Sequence, residues 1–303
     1  MARAVPEQAR IPVAGVSISH PRRVIYPDLG LTKLDVARYY DAVADRMLRH
    51  LMGRPLTLLR CGAAIDSTAE KGGCVMLRHG KAWGPKAIRR VRIRELRKTG
   101  EYLVADTRAA LVGLAQMGVV EVHTWNARAE TPYNHDRVVV DLDPGPEVPW
   151  KDVAAAATLV RQLLADVRLK SWVKTTGGKG LHVVAPIEPT DVDACVAFAR
   201  RIAAVLVRDD PARFTTANPK AGRERQILVD VLRNNRTNTS VAAYSLRARP
   251  GAPVSFPIAW DDVGPRLRPS AFTLARVRDQ AQREPDAWAD YGTTAQRLPV
   301  LRR

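Results

Sequence analysis

Asp141 and Asp143 stand two residues apart in the run Arg137-Val138-Val139-Val140-Asp141-Leu142-Asp143-Pro144-Gly145-Pro146. The valines predict a strand, and Pro-Gly-Pro ends it. Alternation along a strand puts both carboxylates on one face. Like charges there repel unless a cation lies between them. Hard divalent ions such as Mg²⁺ or Mn²⁺ take such oxygen ligands. Alone, Asp-x-Asp-Pro-Gly equally suits a strand end closed by an Asx turn. Asp230 ends a second apolar strand, Ile227-Leu228-Val229, and supplies a third carboxylate. Three Asp at strand ends suit two-metal phosphoryl transfer, and clustered Asp also suits a metal-dependent nuclease.

Between these carboxylates lies Thr175-Thr176-Gly177-Gly178-Lys179-Gly180-Leu181-His182. A glycine-rich turn lets backbone N–H groups face an anion, and Lys179 and His182 add donors. A P-loop is excluded, because it needs Ser or Thr after the Lys and Gly five residues before it. Here Gly180 follows Lys179, and Lys174 stands five before. A plain glycine hairpin is the alternative. Downstream, Arg233, Arg236, Arg247 and Arg249 follow Asp230. Fork-shaped donors near a metal suit a triphosphate, although a basic surface loop has the same composition.

These groups need a scaffold. Thr32 can cap a helix running to about Gly53, with Leu34, Ala37, Tyr40, Val43, Ala44 and Met47 at helical spacing. Leu56–Arg60 reads as a short buried strand, residues 86–105 as a hairpin, 107–117 as a helix and 118–125 as a strand. A helix over 150–167 follows the Asp strand. Strand, turn and strand span 171–185, a helix spans 191–208 and a strand 226–232. The pattern predicts one mixed α/β or α+β domain over residues 1–303. Residues 1–10 read as a loose basic start. Residues 253–303 read as a Pro-rich segment, with a short helix near 273–282, that wraps the body.

Composition narrows the partners. Lys plus Arg number 48 against 31 Asp plus Glu, a net charge of +17, which favours a polyanion. The 46% hydrophobic content excludes general disorder. No apolar run of membrane-spanning length occurs and the N-terminus lacks an apolar signal core, so neither a membrane span nor secretion is expected; the expected location is cytoplasmic, associated with the nucleoid. Cys61, Cys74 and Cys195 read as reduced, buried thiols. With His79 they fit no zinc-finger spacing. His50, His123 and His135 have no evident partners and read as structural.

The Asp141-Leu142-Asp143-Pro144-Gly145 strand end, the Thr176-to-His182 turn and the stretch from Asp230 to Pro253 resemble the polymerase domain of bacterial DNA ligase D, of the archaeo-eukaryotic primase superfamily. The likeness runs from Ile18 to Asp290. It implies a primase-polymerase-like α+β fold, with central antiparallel and mixed sheets flanked by helices. It also implies a nucleotidyltransferase that adds NTPs or dNTPs to DNA 3′ ends in gap filling and non-homologous end joining. Asp141, Asp143 and Asp230 would be catalytic ligands of two Mn²⁺ or Mg²⁺ ions. Thr176, Gly177, Gly178, Lys179, His182, Arg223 and Arg247 would hold the nucleotide. Arg23 and Lys33 would grip the 5′-phosphate of gapped or broken DNA. A Ku-like protein and a separate ligase are the expected partners, since no ligase or phosphoesterase module is expected in a chain ending at Arg303.

The chain also departs from that family. Val75-Met76-Leu77-Arg78-His79 stands where template-stacking aromatics are usual, and each lost ring forfeits stacking of about 1–3 kcal/mol per base. Thr176 replaces a usual Ser, Thr237 a usual Gly and Gln226 a usual Arg. A degenerate, noncatalytic DNA-binding repair factor is therefore the second reading.

Overall fold

The computed structural model describes residues 10–65, 73–80, 84–95, 97–219 and 221–300. The loose start expected over residues 1–10 lies almost wholly outside the described residues. β1 (Ile11–Val13) and β2 (Val16–Ile18) form a hairpin, and β3 (Val24–Tyr26) pairs with β4 (Leu31–Thr32). Thr32 caps α1 (Lys33–Ala42). Its hydroxyl accepts from the Asp35 amide, and the Asp35 carboxylate accepts from the Thr32 amide at 2.8 Å. α2 (Ala44–Leu51) follows, so the single helix read from the sequence is two, parted at Val43.

β5 (Leu56–Cys61) pairs with β6 (Cys74–Leu77), and β7 (Arg89–Arg94) with β8 (Thr99–Val104). α3 (Arg108–Gln116), capped by Thr107, leads to β9 (Val119–Thr124). Then come β10 (Asn134–Pro144), α4 (Trp150–Asp166), β11 (Trp172–Thr175), β12 (Leu181–Asp191) and α5 (Val192–Asp209). β13 (Phe214–Thr215), β14 (Ile227–Asp230), β15 (Ser240–Val241), β16 (Pro257–Ile258) and α6 (Leu274–Arg283) complete the chain.

Two sheets carry the architecture, which is α+β as expected. One has the order β13-β14-β10-β12-β11-β16, and the other β15-β9-β5-β8-β7 with β6 beside β5. All pairings in both are antiparallel except β13 with β14. α4 and α5 pack against β10 and β12, and α3 packs against β9 and α1. Along β10, Val138, Val140 and Leu142 alternate with Arg137, Val139 and Asp141, and every one of these is buried. Arg137 donates to Thr124 Oγ1 and, at 2.9 Å, to the Trp125 carbonyl at the end of β9. The Asp141 face of the first sheet therefore looks toward the second sheet. Past Pro253 the chain adds β16 to the first sheet, and α6 packs on α1.

The cysteines correct the sequence reading. Cys61 and Cys74 are register partners on β5 and β6 and form a disulfide, with Cα atoms 4.0 Å apart. Cys195 is free and buried, as expected. The pair was hidden because β6 is short and carries no alternation that announces a strand. His79 lies beside Glu95 and Tyr102.

Candidate active site

The register builds the site. Asp141 on β10 pairs with Asp230 on β14 to one side and with His182 on β12 to the other, and His182 pairs with Lys174 on β11. Direct partners across a sheet share a face, so four strands set Asp230, Asp141, His182 and Lys174 in one row. All four are at most 9% exposed. Asp143 follows two residues after Asp141 on the same face.

Arginines satisfy the carboxylates. Arg233 Nε lies 3.0 Å from Asp141 Oδ2 and its Nη2 3.2 Å from Asp230 Oδ2. His182 Nε2 is 3.3 Å from Asp141 Oδ2. Arg223 holds Asp143 through the carboxylate at 3.0 Å and the main-chain carbonyl at 3.2 Å. Burial alone would push the Asp141 carboxyl up, but His182 and Arg233 outweigh it and hold it well below the usual range. Asp230 is raised, by burial first and by the negative Asp141 beside it against the pull of Arg233. Burial, with the Lys174 ammonium, lowers His182 to about 4 and leaves it neutral at pH 7.

Two carboxylates converging on one guanidinium make a hard-oxygen cation site that a side chain fills. Among the described residues no three His, Cys, Asp or Glu side chains converge on a single point as they stand. The Asp141 and Asp230 carboxylates are hard oxygen donors of the kind a divalent ion takes, and Asp143, held by Arg223, lies two residues along the same face. The expected trio thus comes together as a pair plus a neighbour.

The glycine turn joins β11 to β12 beside this row. Thr176 Oγ1 accepts from the Gly178 amide at 3.2 Å and the Gly180 amide at 3.3 Å. Its hydroxyl shapes the turn from within. Gly177 has φ +66, and a Cβ there would come within 2.6 Å of Arg247 Cγ. A Cβ on Gly180 would fall 2.2 Å from the Leu142 carbonyl. Both positions therefore need glycine for close approach. Arg247 donates to the Thr176 carbonyl, and Lys179 stands exposed at the rim.

Between the sheets opens a cleft of about 730 Å³ lined by Asp141, Asp143, Thr176, Gly178, Lys179, His182, Arg223, Arg233, Arg247, Arg249 and His123. Arg223 Nε is buried there without a partner among the described residues, a donor that suits an anionic ligand. His123 is the residue the sequence reading missed. β9 alternation puts it on the face of Glu121, and β15 pairs Val241 with it at the cleft wall. Arg249 and Arg233 join it there.

Arg23 and Lys33 lie apart from this cleft. β3 and β4 bring them together, with the Lys33 amide donating to the Arg23 carbonyl at 2.8 Å. Lys33 Nζ reaches the Ser19 carbonyl at 3.0 Å and Arg23 reaches the Gly62 carbonyl at 3.2 Å. Burial, then Arg23 and Arg60, lowers Lys33 to about 8. Three cations clustered without a carboxylate partner among the described residues suit an anion. Val75 and Met76 on β6 are 63% and 52% exposed.

The described helices include none long and apolar enough to cross a membrane. The family model for the LigD primase-polymerase domain matches residues 32–288. The multifunctional non-homologous end joining protein LigD of Pseudomonas aeruginosa is 36% identical over 300 residues, covering 97% of this chain and 35% of that protein. Its Mycobacterium tuberculosis counterpart is 33% identical over 273 residues, 87% of this chain and 35% of its own length. The chain thus spans about a third of these relatives. Among solved structures, the polymerase domain of Mycobacterium tuberculosis ligase D in complex with DNA superposes with a TM-score of 0.84 at 30% identity, covering 92% of this chain and 98% of that one. The chain belongs to the family of LigD primase-polymerase domains.

Proposed function

We propose that this chain adds nucleotides to the 3′ ends of gapped or broken DNA in non-homologous end joining. As a LigD primase-polymerase domain it is a nucleotidyltransferase. The observation that carries the reading is the row Asp230–Asp141–His182, set beside a glycine turn in a cleft walled by arginines. The DNA bound to the tuberculosis domain supports a DNA substrate.

Asp141, Asp143 and Asp230 would hold two divalent ions, Mn²⁺ or Mg²⁺, which when bound lower the pKa of a 3′-hydroxyl and offset polyphosphate charge. The chain's own groups do the positioning. Gly177, Gly178, Lys179 and Arg247 cradle the triphosphate, with Thr176 fixing the turn. Neutral His182 donates its one N–H, on Nε2, to Asp141 and so orients that carboxylate at the nucleotide site, and Arg223 turns from Asp143 to the nucleotide. Arg23 and Lys33 hold the downstream 5′-phosphate. A Ku-like protein and a ligase activity complete the repair.

Primer extension on gapped 5′-phosphorylated DNA, with Mn²⁺ or Mg²⁺ and either NTPs or dNTPs, tests this. Lengthened product is expected. Shortened product would mark a nuclease, and binding without product a noncatalytic factor.

A further inference from the structure

Glu121 is a buried acid, 5% exposed, in the middle of β9. Nothing in the polymerase reading uses it, yet it meets two residues that line the cleft. Its Oε2 lies 2.8 Å from His123 Nε2. Its Oε1 lies 3.1 Å from Arg247 Nε as an ion pair and accepts from the Ala248 amide at 2.8 Å. The far end of the Arg247 guanidinium donates to the Thr176 carbonyl in the glycine turn. Tyr26 fixes the same residue from behind, its hydroxyl donating to the Arg247 carbonyl at 2.7 Å. The chain Glu121–Arg247–Thr176 therefore ties the second sheet to the turn on the first, across the cleft.

We infer that Glu121 is a positioning residue for the nucleotide site, its carboxylate setting both the reach of Arg247 along the turn and the tautomer of His123. The inference rests on the nucleotidyltransferase reading. The physical reason is the donor count. A carboxylate only accepts, so His123 must present Nε2–H to it and keep Nδ1 unprotonated in its neutral form. The Ala248 amide donates to the other oxygen, and the Arg247 guanidinium stands against that oxygen as an ion pair while its far end donates to the Thr176 carbonyl. That placement presses the Arg247 stem against Gly177, where no Cβ fits. The negative charge is sealed from water by its partners, and hydrogen bonds and cations hold it ionised, with its pKa down at about 2 against the opposing effect of burial.

The test separates positioning from bulk structure. E121A should raise the nucleotide KM about tenfold or more while leaving the Kd for gapped DNA within about twofold. R247A should raise the same KM, and the double variant E121A/R247A should be no worse than R247A alone, because the two act as a unit. Additive penalties, or an unchanged KM in E121A, would overturn the inference. E121Q keeps the shape should E121A not fold. An amide has one accepting oxygen for the His123 and Ala248 donors and no charge for Arg247, so E121Q must either flip His123 to the Nδ1–H tautomer, read by ¹⁵N NMR, or raise the KM. If neither changes, Glu121 is not a positioning residue. A wild-type chain that incorporates no nucleotide would instead sink the polymerase reading.

Discussion

Asp141 and Asp230 are register partners on adjacent antiparallel strands, and one guanidinium, that of Arg233, touches both. The arrangement puts two acids at hydrogen-bond range of one cation in a largely buried site, where charge–charge effects are stronger than in water. Asp230→Ala removes a carboxylate that nothing else on β14 replaces. Nucleotide incorporation should fall by at least about a hundredfold, the scale of losing a group that stabilises the transition state. DNA affinity should stay within about twofold, because non-specific binding rests on phosphate contacts elsewhere. Primer extension and a binding titration on the same variant check this. Undiminished incorporation would remove Asp230 from the site.

Lys33 and Arg23 carry a different expectation. Lys33→Ala should weaken binding to 5′-phosphorylated gaps about tenfold, barely change binding to the unphosphorylated gap, and lower the salt slope by about one. The pH dependence follows from the lowered ammonium. Lys33 is charged below about pH 8 and loses its proton above it. The preference for a 5′-phosphate should therefore fade between pH 7 and 9, as binding titrations across that range will read. A phosphate itself stabilises the charged form and shifts the fade upward. An equal loss on both substrates would mean that Lys33 serves the hairpin alone.

The local signals were legible where one residue type decides the outcome. Thr32 announced α1, Pro-Gly-Pro closed β10, and the valines before Asp141 gave the strand that centres the site. The register that sets Asp230 beside Asp141 was not legible. It depends on α5 and β13 carrying the chain across the sheet, a long-range outcome that no short window contains. β13, β15 and β16 have two residues each, too few to show alternation. His123 was missed for another reason. Its strand is as read, and the period-2 rule places Glu121 on its face, but such alternation marks any half-buried strand and does not single out a functional pair. The cysteine pair needed β6, and without that strand the thiols had no reason to meet.

Thr237 has φ +63, in the left-handed region that β-branched residues avoid. The family resemblance puts glycine there, and the backbone explains why. Thr237→Gly should relieve about 1–2 kcal/mol of local cost, less about 0.5–1 kcal/mol for the freer unfolded chain. The net gain of about 1 kcal/mol should raise Tm by about 2 °C. Calorimetry on the two proteins decides it. A lower Tm would mean that the threonine side chain contributes more than its backbone costs.

His50 supplies the acid limit of the fold. It is 3% exposed, with neither ring nitrogen hydrogen-bonded among the described residues, and it packs against Tyr244, Trp288 and Tyr291. Burial, then the positive charge of Arg137, lowers it to about 3. His135 is lowered to about 4 for the same two reasons. The unfolded chain takes up these protons near pH 6.5 and the folded chain does not, so it binds more protons in that window. Stability must then fall as pH drops from about 6.5 toward 3, by up to about 1.4 kcal/mol per pH unit for each histidine. His50→Phe keeps the ring packing and removes one of these titrations, leaving those of His135 and His182. Urea unfolding at pH 7 and pH 4.5 should show that the variant loses less stability between the two values than the wild type. If both proteins lose the same amount, His50 takes up its proton inside the fold, and the acid limit belongs to other groups.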